Sequence, residues 1–198
     1  MRLLPLIAAL ALFGCNSTQT VQDVKSQINC TYPDAPQHEA PGWVCDVMPE
    51  DLEIGAVGFA KNSKAGLSIM RDIAMNDAKS RLAQQFESNV NTLFKQASSA
   101  AITSTDEKIV ENVNEYFESV TKNVTSQTLT NARVLASQRS PAGGLYTLVG
   151  MDKATYDQNL QQIVNHAKGK DPVLWKKFNS EKAEQALDSV LDSLGSQL

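Results

Sequence analysis

The residues able to do chemistry are few. The chain of 198 residues holds two histidines and three cysteines. His38 lies in a Pro-rich stretch and His166 late in a helical pattern. A Ser-His-Asp arrangement built on Ser140 or any other serine would have to recruit one of these two imidazoles, and no spacing brings them together. Asp72 with Asp77, and Asp106 with Glu107, are carboxylate pairs, yet their helical spacing reads as solvated helix faces. Trp43 beside Cys45, and Trp175 in an amphipathic tail, read as packing anchors and not as ligand platforms. The glycines of Leu52-Glu53-Ile54-Gly55-Ala56-Val57-Gly58-Phe59-Ala60 are spaced Gly-x-x-Gly inside an apolar run with no Gly-Lys-Ser/Thr after them, so they make neither a dinucleotide fingerprint nor a phosphate loop. The expectation is a protein that is not an enzyme, with no catalytic residues, no metal site and no cofactor. With 18 basic against 22 acidic residues the net charge is −4, which argues against a nucleic-acid partner, since such grooves need clustered positive charge.

The first fifteen residues are an address. Met1-Arg2 precedes an apolar run from Leu3 to Gly14, too short for a membrane span of about 20 residues. The ending Leu12-Phe13-Gly14-Cys15 resembles the bacterial lipobox, cut before a lipid-modified cysteine; Phe13 is bulkier than the motif's usual residue. Acyl chains on Cys15 would anchor the protein without a transmembrane helix. Asn16 follows where Asp would favour the inner membrane, so the outer membrane is expected, with the leaflet unassigned. Removing residues 1–14 takes away Arg2 only and leaves the mature chain at −5. Residues 16–29 are polar and read as a spacer.

Two cysteines then remain. In an oxidising periplasm an even pair, Cys30 and Cys45, reads as a disulfide closing a Pro-rich loop. The alternatives are two free thiols or a metal pair, and no Cys-x-x-Cys or neighbouring His supports metal. The Asn-x-Ser/Thr matches at Asn16, Asn29 and Asn123 read as accidents of composition.

The elements that must position these residues follow from periodicity. Leu52–Ala60 suits a first strand. From Ser63 to about Ala100 the stripe Leu67, Met70, Ala74, Ala78, Leu82, Phe86, Val90, Leu93, Ala97 predicts one long helix. The Ser104-Thr105-Asp106-Glu107 capping box predicts a second helix, with Ile109, Val113, Phe117, Val120 and Val124 on its apolar stripe. Leu129–Gln138 and Leu145–Met151 flank the Ser140-Pro141-Ala142-Gly143-Gly144 turn as a hairpin. Asp152 is placed to cap a helix carrying Tyr156, Leu160, Ile163, Val164 and Ala167, with Gly169 as its stop. Asp171-Pro172 restarts an amphipathic helix with Leu174, Trp175, Phe178, Leu187, Val190, Leu191 and Leu194. The fold class is α+β: a small antiparallel three-stranded sheet packed by long amphipathic helices, with C-terminal helices. The divisions are 1–14 signal peptide, 15–40 lipidated Cys and tether with the Pro-rich loop, 41–168 α+β domain, and 169–198 C-terminal amphipathic helix.

The lipobox, Pro41-Gly42-Trp43-Val44, Ala56-Val57-Gly58-Phe59-Ala60, Ala78-Lys79-Ser80-Arg81-Leu82-Ala83, and Asn131-Ala132-Arg133-Val134 followed by Gly144-Leu145-Tyr146-Thr147-Leu148-Val149 together resemble the LPP20 lipoprotein family over roughly residues 41–152. The resemblance implies an outer-membrane or surface lipoprotein without general catalytic residues, and some relatives take part in flagellar assembly. The expected function is therefore a non-catalytic structural or protein-interaction module of the envelope, flagellar assembly being one setting. Its partners would be the outer membrane, through Cys15, and envelope proteins or a second copy of itself. A periplasmic carrier of a lipid or other apolar ligand, held between sheet and helix, is the alternative.

Overall fold

A computed structural model describes residues 29–101, 111, 114–122, 129 and 131–171. Its elements are β1 (Thr31–Tyr32), β2 (Ala35–Glu39), a 3-10 turn (Gly42–Cys45), β3 (Ile54–Ala60), the long helix α1 (Leu67–Ala101), helical residues 114–122 (α2), β4 (Arg133–Arg139), β5 (Leu145–Met151) and α3 (Lys153–Lys170). β1 and β2 form a two-stranded sheet, and the main sheet has the order β3-β5-β4. Both neighbours of β5 run antiparallel to it, from Ile54↔Met151 to Ala60↔Leu145 on one side and Arg133↔Gly150 to Arg139↔Leu145 on the other. β3 and β4 are thus parallel, with β5 inserted between them and the helices in the crossover. This is the α+β sheet expected from the pattern.

β5 is buried along its whole length because both of its faces are covered. On one face α1 lies across β3 and β5. Its stripe Met70, Ala74, Ala78, Leu82, Phe86, Val90 and Leu93 is buried as the spacing predicts. Small residues make the approach very close: a methyl group on Gly58 would lie 2.0 Å from the Ala74 carbonyl oxygen. Leu67 departs from the stripe at 41% exposed, and Phe94, outside it, is buried. Phe94 stacks on Phe117 of α2 at 4.1 Å between ring centroids, and Phe86 meets Tyr156 of α3 edge-on at 5.0 Å. These rings join sheet, α1, α2 and α3 into one core.

α3 begins as its sequence requires, with Asp152 Oδ1 accepting from the Thr155 amide at 2.8 Å. Those Thr155 hydrogen bonds hold the Asp152 carboxyl below the usual carboxylate range. All five predicted core residues of this helix are buried. The helix does not stop at Gly169, as the glycine rule suggests, but runs on to Lys170. Its end is held by α2: the Tyr116 hydroxyl donates to the Ala167 carbonyl and accepts from the Asp171 amide, and Lys170 Nζ reaches Ser119 Oγ at 3.4 Å. Tertiary partners satisfy the end that a left-handed glycine would otherwise have closed.

The Pro-rich segment, read from sequence as a loop of the tether, is a hairpin folded onto the sheet. Pro36, Gln37 and His38 fall within an irregular stretch between the pairs Tyr32↔Ala35 and Thr31↔Glu39, on an exposed strand where a missing amide donor costs little. Tyr32 is buried in this cluster, so ordered packing starts before residue 41. Ser104 to Glu107, Ile109, Val113, Val124 and the tail from Pro172 lie outside the described residues, as does Cys15.

Candidate functional site

Cys30 and Cys45 are joined, with 5.8 Å between their Cα atoms. The bond ties the start of β1 to the end of the 3-10 turn, where Val44 and half-buried Trp43 pack against Tyr32 and Tyr146. Trp43 is a packing residue here, as its place beside the bridge suggests.

On the sheet face away from α1, this hairpin and the 3-10 turn border a groove of about 360 Å³. Val44, Val57, Phe59 and Tyr146 supply its apolar floor, and Asp34, Asp46 and Arg81 its charged rim. Phe59 and Tyr146 are ring neighbours at 4.7 Å, and Tyr32 stands 5.5 Å from Tyr146. Asp34 is the pivot. Its Oδ1 accepts from the Tyr146 hydroxyl at 3.0 Å and its Oδ2 from Ser140 Oγ at 2.6 Å. Ser140 Oγ in turn accepts from the Gly144 amide at 3.0 Å. Burial, reinforced by the Asp34 carboxylate, pushes the Tyr146 phenol up to about 12. The serine considered as a nucleophile is thus a buried turn residue donating to a carboxylate. His38 and His166 are both exposed, on β2 and α3.

Arg81 reaches the groove from α1. Its Nε lies 3.2 Å from both oxygens of Asp77, and Asp77 Oδ2 accepts from the Phe59 amide at 3.0 Å. Asp77 is more than a solvated face residue: it caps a backbone donor of β3. Asp72 is exposed. The groove offers shape, one cation and carboxylates for recognition, with its central carboxylate already engaged by two hydroxyl donors. Among the described residues no three His, Cys, Asp or Glu converge as a metal cage, and no helix is long and apolar enough to cross a membrane.

A second surface is β4. It is one of the two outer strands of its sheet, and of its seven residues only Ala136 is more than slightly protected, the others being exposed. A register shift between Val134 and Ala136 displaces Leu135 from the ladder; Val134 is 47% exposed and Leu135 43%. The period-2 reading of Leu129–Gln138 did not reveal the bulge, because a one-residue insertion looks like imperfect alternation.

β4 and the part of the groove from the 3-10 turn, β3, α1 and β5 lie within a stretch that matches a known family, while Pro33 and Asp34 of the groove precede it. No match is found among curated proteins. Residues 41–152, from the 3-10 turn through all three strands of the main sheet to the cap of α3, match the family described as LPP20 lipoprotein. With more than half of its length in that match, the chain belongs to the LPP20 lipoprotein family.

Proposed function

We propose that this envelope lipoprotein is a non-catalytic structural or protein-interaction module of the outer membrane, held there by acyl chains on Cys15. Family membership supports a lipid-anchored envelope protein. Asn16 after the lipobox supports the outer membrane as its destination. The observation that carries the interaction role is β4, an edge strand with exposed Val134 and Leu135 beside a wholly buried β5. An open edge offers a row of backbone donors and acceptors to an added strand, and flanking apolar side chains supply the contact area. A second copy or another envelope protein is the partner, with flagellar assembly one setting for it. The direct backbone contact of β3 and α1 at Gly58 favours this role over a carrier that would hold an apolar ligand between sheet and helix.

Cross-linking and size-exclusion of the soluble residue 16–198 form test the proposal. Self-association or a defined envelope partner is expected, and a strict monomer without a partner counts against it. A deletion strain with unchanged swimming would remove the flagellar setting.

A further inference from the structure

Three turns meet at one end of the main sheet. A methyl group on Gly144 would lie 2.4 Å from Asp34 Oδ2, and one on Gly143 would lie 2.5 Å from Asn62 Nδ2. The β1–β2 turn, the β4–β5 turn and the loop from β3 into α1 therefore share this pole. The loop and the first two turns of α1 expose Lys61, Lys64 and Arg71 together with three large apolar side chains. Leu67 is 41% exposed, Ile69 47% and Ile73 49%. Ile69 and Ile73 are one helical turn apart and continue into the row of Asp77 and Arg81 that borders the groove. Leu67 and Arg71, also four apart, lie on the other flank of the helix, so the first two turns of α1 present exposed apolar and basic side chains on both flanks at this pole. Asp72 is the acidic residue among them.

We propose that this pole is a second, non-covalent membrane contact that seats the domain on an anionic phospholipid surface. The proposal rests on the Cys15 anchor for its setting and adds to it an orientation. The charge is complementary: a mature chain of −5 gathers three basic residues here, where the positive end of the α1 dipole also lies. The tether is long enough and starts in the right place. Fourteen residues separate Cys15 from Cys30, so the anchor can lie up to about 50 Å away along the chain. β1 then runs only through Thr31 and Tyr32 before the turn at the pole. Basic side chains would meet phosphate headgroups while Leu67, Ile69 and Ile73 reach the acyl boundary. A sugar polymer of the envelope offers nothing to those three side chains, which is why a lipid surface is the occupant. One acyl-anchored cysteine plus a basic patch is also a recognised pair of membrane signals.

The test uses the lipidated full-length protein on vesicles. With Cys15 acylated and Cys30 bonded to Cys45, a single added cysteine is the one free thiol for an environment-sensitive dye. Ile69→Cys reports the pole, and Gln162→Cys on the exposed side of α3 is the control. On vesicles of phosphatidylethanolamine and phosphatidylglycerol, the dye at position 69 should shift to the blue and be quenched by doxyl lipids. At position 162 it should not, and on pure phosphatidylcholine or in high salt the response should fall. Replacing Lys61, Lys64 and Arg71 together by Gln should cut the salt-sensitive response roughly ten-fold while the protein still floats with the vesicles. Flotation without any dye response at position 69 overturns the pole contact and leaves the anchor standing. Failure of the unaltered protein to float strikes the anchor, and the same dye signal on the added vesicles then judges the pole alone. A response that follows protein density and not lipid charge means that a second copy covers the pole, which also overturns the proposal.

Discussion

The Tyr146 hydroxyl donates to Asp34 at 3.0 Å across 112 residues of sequence, joining the disulfide-closed hairpin to the central strand of the main sheet. The same carboxylate accepts from Ser140 in the β4–β5 turn. One side chain thus ties the β1–β2 turn to two points of the β4–β5 hairpin more than 100 residues away, at the wall of the groove.

Asp34→Ala is expected to lower stability by about 1–3 kcal/mol, because it leaves two hydroxyl groups without their acceptor. Chemical denaturation measures the loss. Asp34→Asn, which keeps one acceptor oxygen, should lose less, and equal losses would contradict the assignment of Asp34 as the shared acceptor.

Tyr146 and Tyr156 both have phenols pushed up to about 12, chiefly by burial. In the unfolded chain they ionise near 10, so the unfolded state alone gains from ionisation between the two values. Stability should therefore be insensitive to these tyrosines below pH 10 and fall as the pH rises from 10 towards 12. Tyr156→Phe should shallow that fall when denaturation midpoints are compared across the range. An unchanged alkaline slope would mean that its hydroxyl does not resist ionisation.

Gly58→Ala places a methyl group 2.0 Å from the Ala74 carbonyl oxygen and 2.3 Å from the Ala78 amide nitrogen. Only a shift of α1 off the sheet relieves this, so a loss of about 3 kcal/mol or more is expected. Gly66→Ala is a useful comparison: no atom lies within 4 Å, but its φ of 95° strains a substituted residue, and the cost should be smaller. A near-neutral Gly58→Ala would show that strand and helix are not in contact there.

Removing the bridge with Cys30→Ser and Cys45→Ser should cost about 3 kcal/mol, from the loop it closes. Hydrogen exchange should show β1, β2 and the 3-10 turn losing protection first, while β5 stays protected. Loss of protection throughout would mean that the hairpin is integral to the main core.

What the sequence revealed and what it hid have physical causes. The helical stripe from Met70 to Leu93, the hairpin around Ser140–Gly144, the Asp152 cap and the Cys30–Cys45 pairing rest on local periodicity, local turn chemistry or counting, and all are present. The β1–β2 hairpin was hidden by its prolines, which mark a loop unless the strand lies at an edge. The extension of α3 past Gly169 depends on Tyr116 and Ser119, about 50 residues away. Asp34, Ser140 and Tyr146 looked unrelated because their association is purely tertiary. Asp77 looked like a surface charge because the backbone amide it caps belongs to another element.

The interaction role stands or falls on β4 as a pairing edge. A photo-crosslinking amino acid placed at Leu135 in the lipidated protein, with Gln162 as the control position, tests it in the intact envelope. A discrete adduct at position 135, absent at 162 and lost when Ser137→Pro removes an outward-facing backbone donor of β4 without unfolding the domain, is the expected result. No adduct at 135, from a protein that is anchored and folded, would contradict the interaction role.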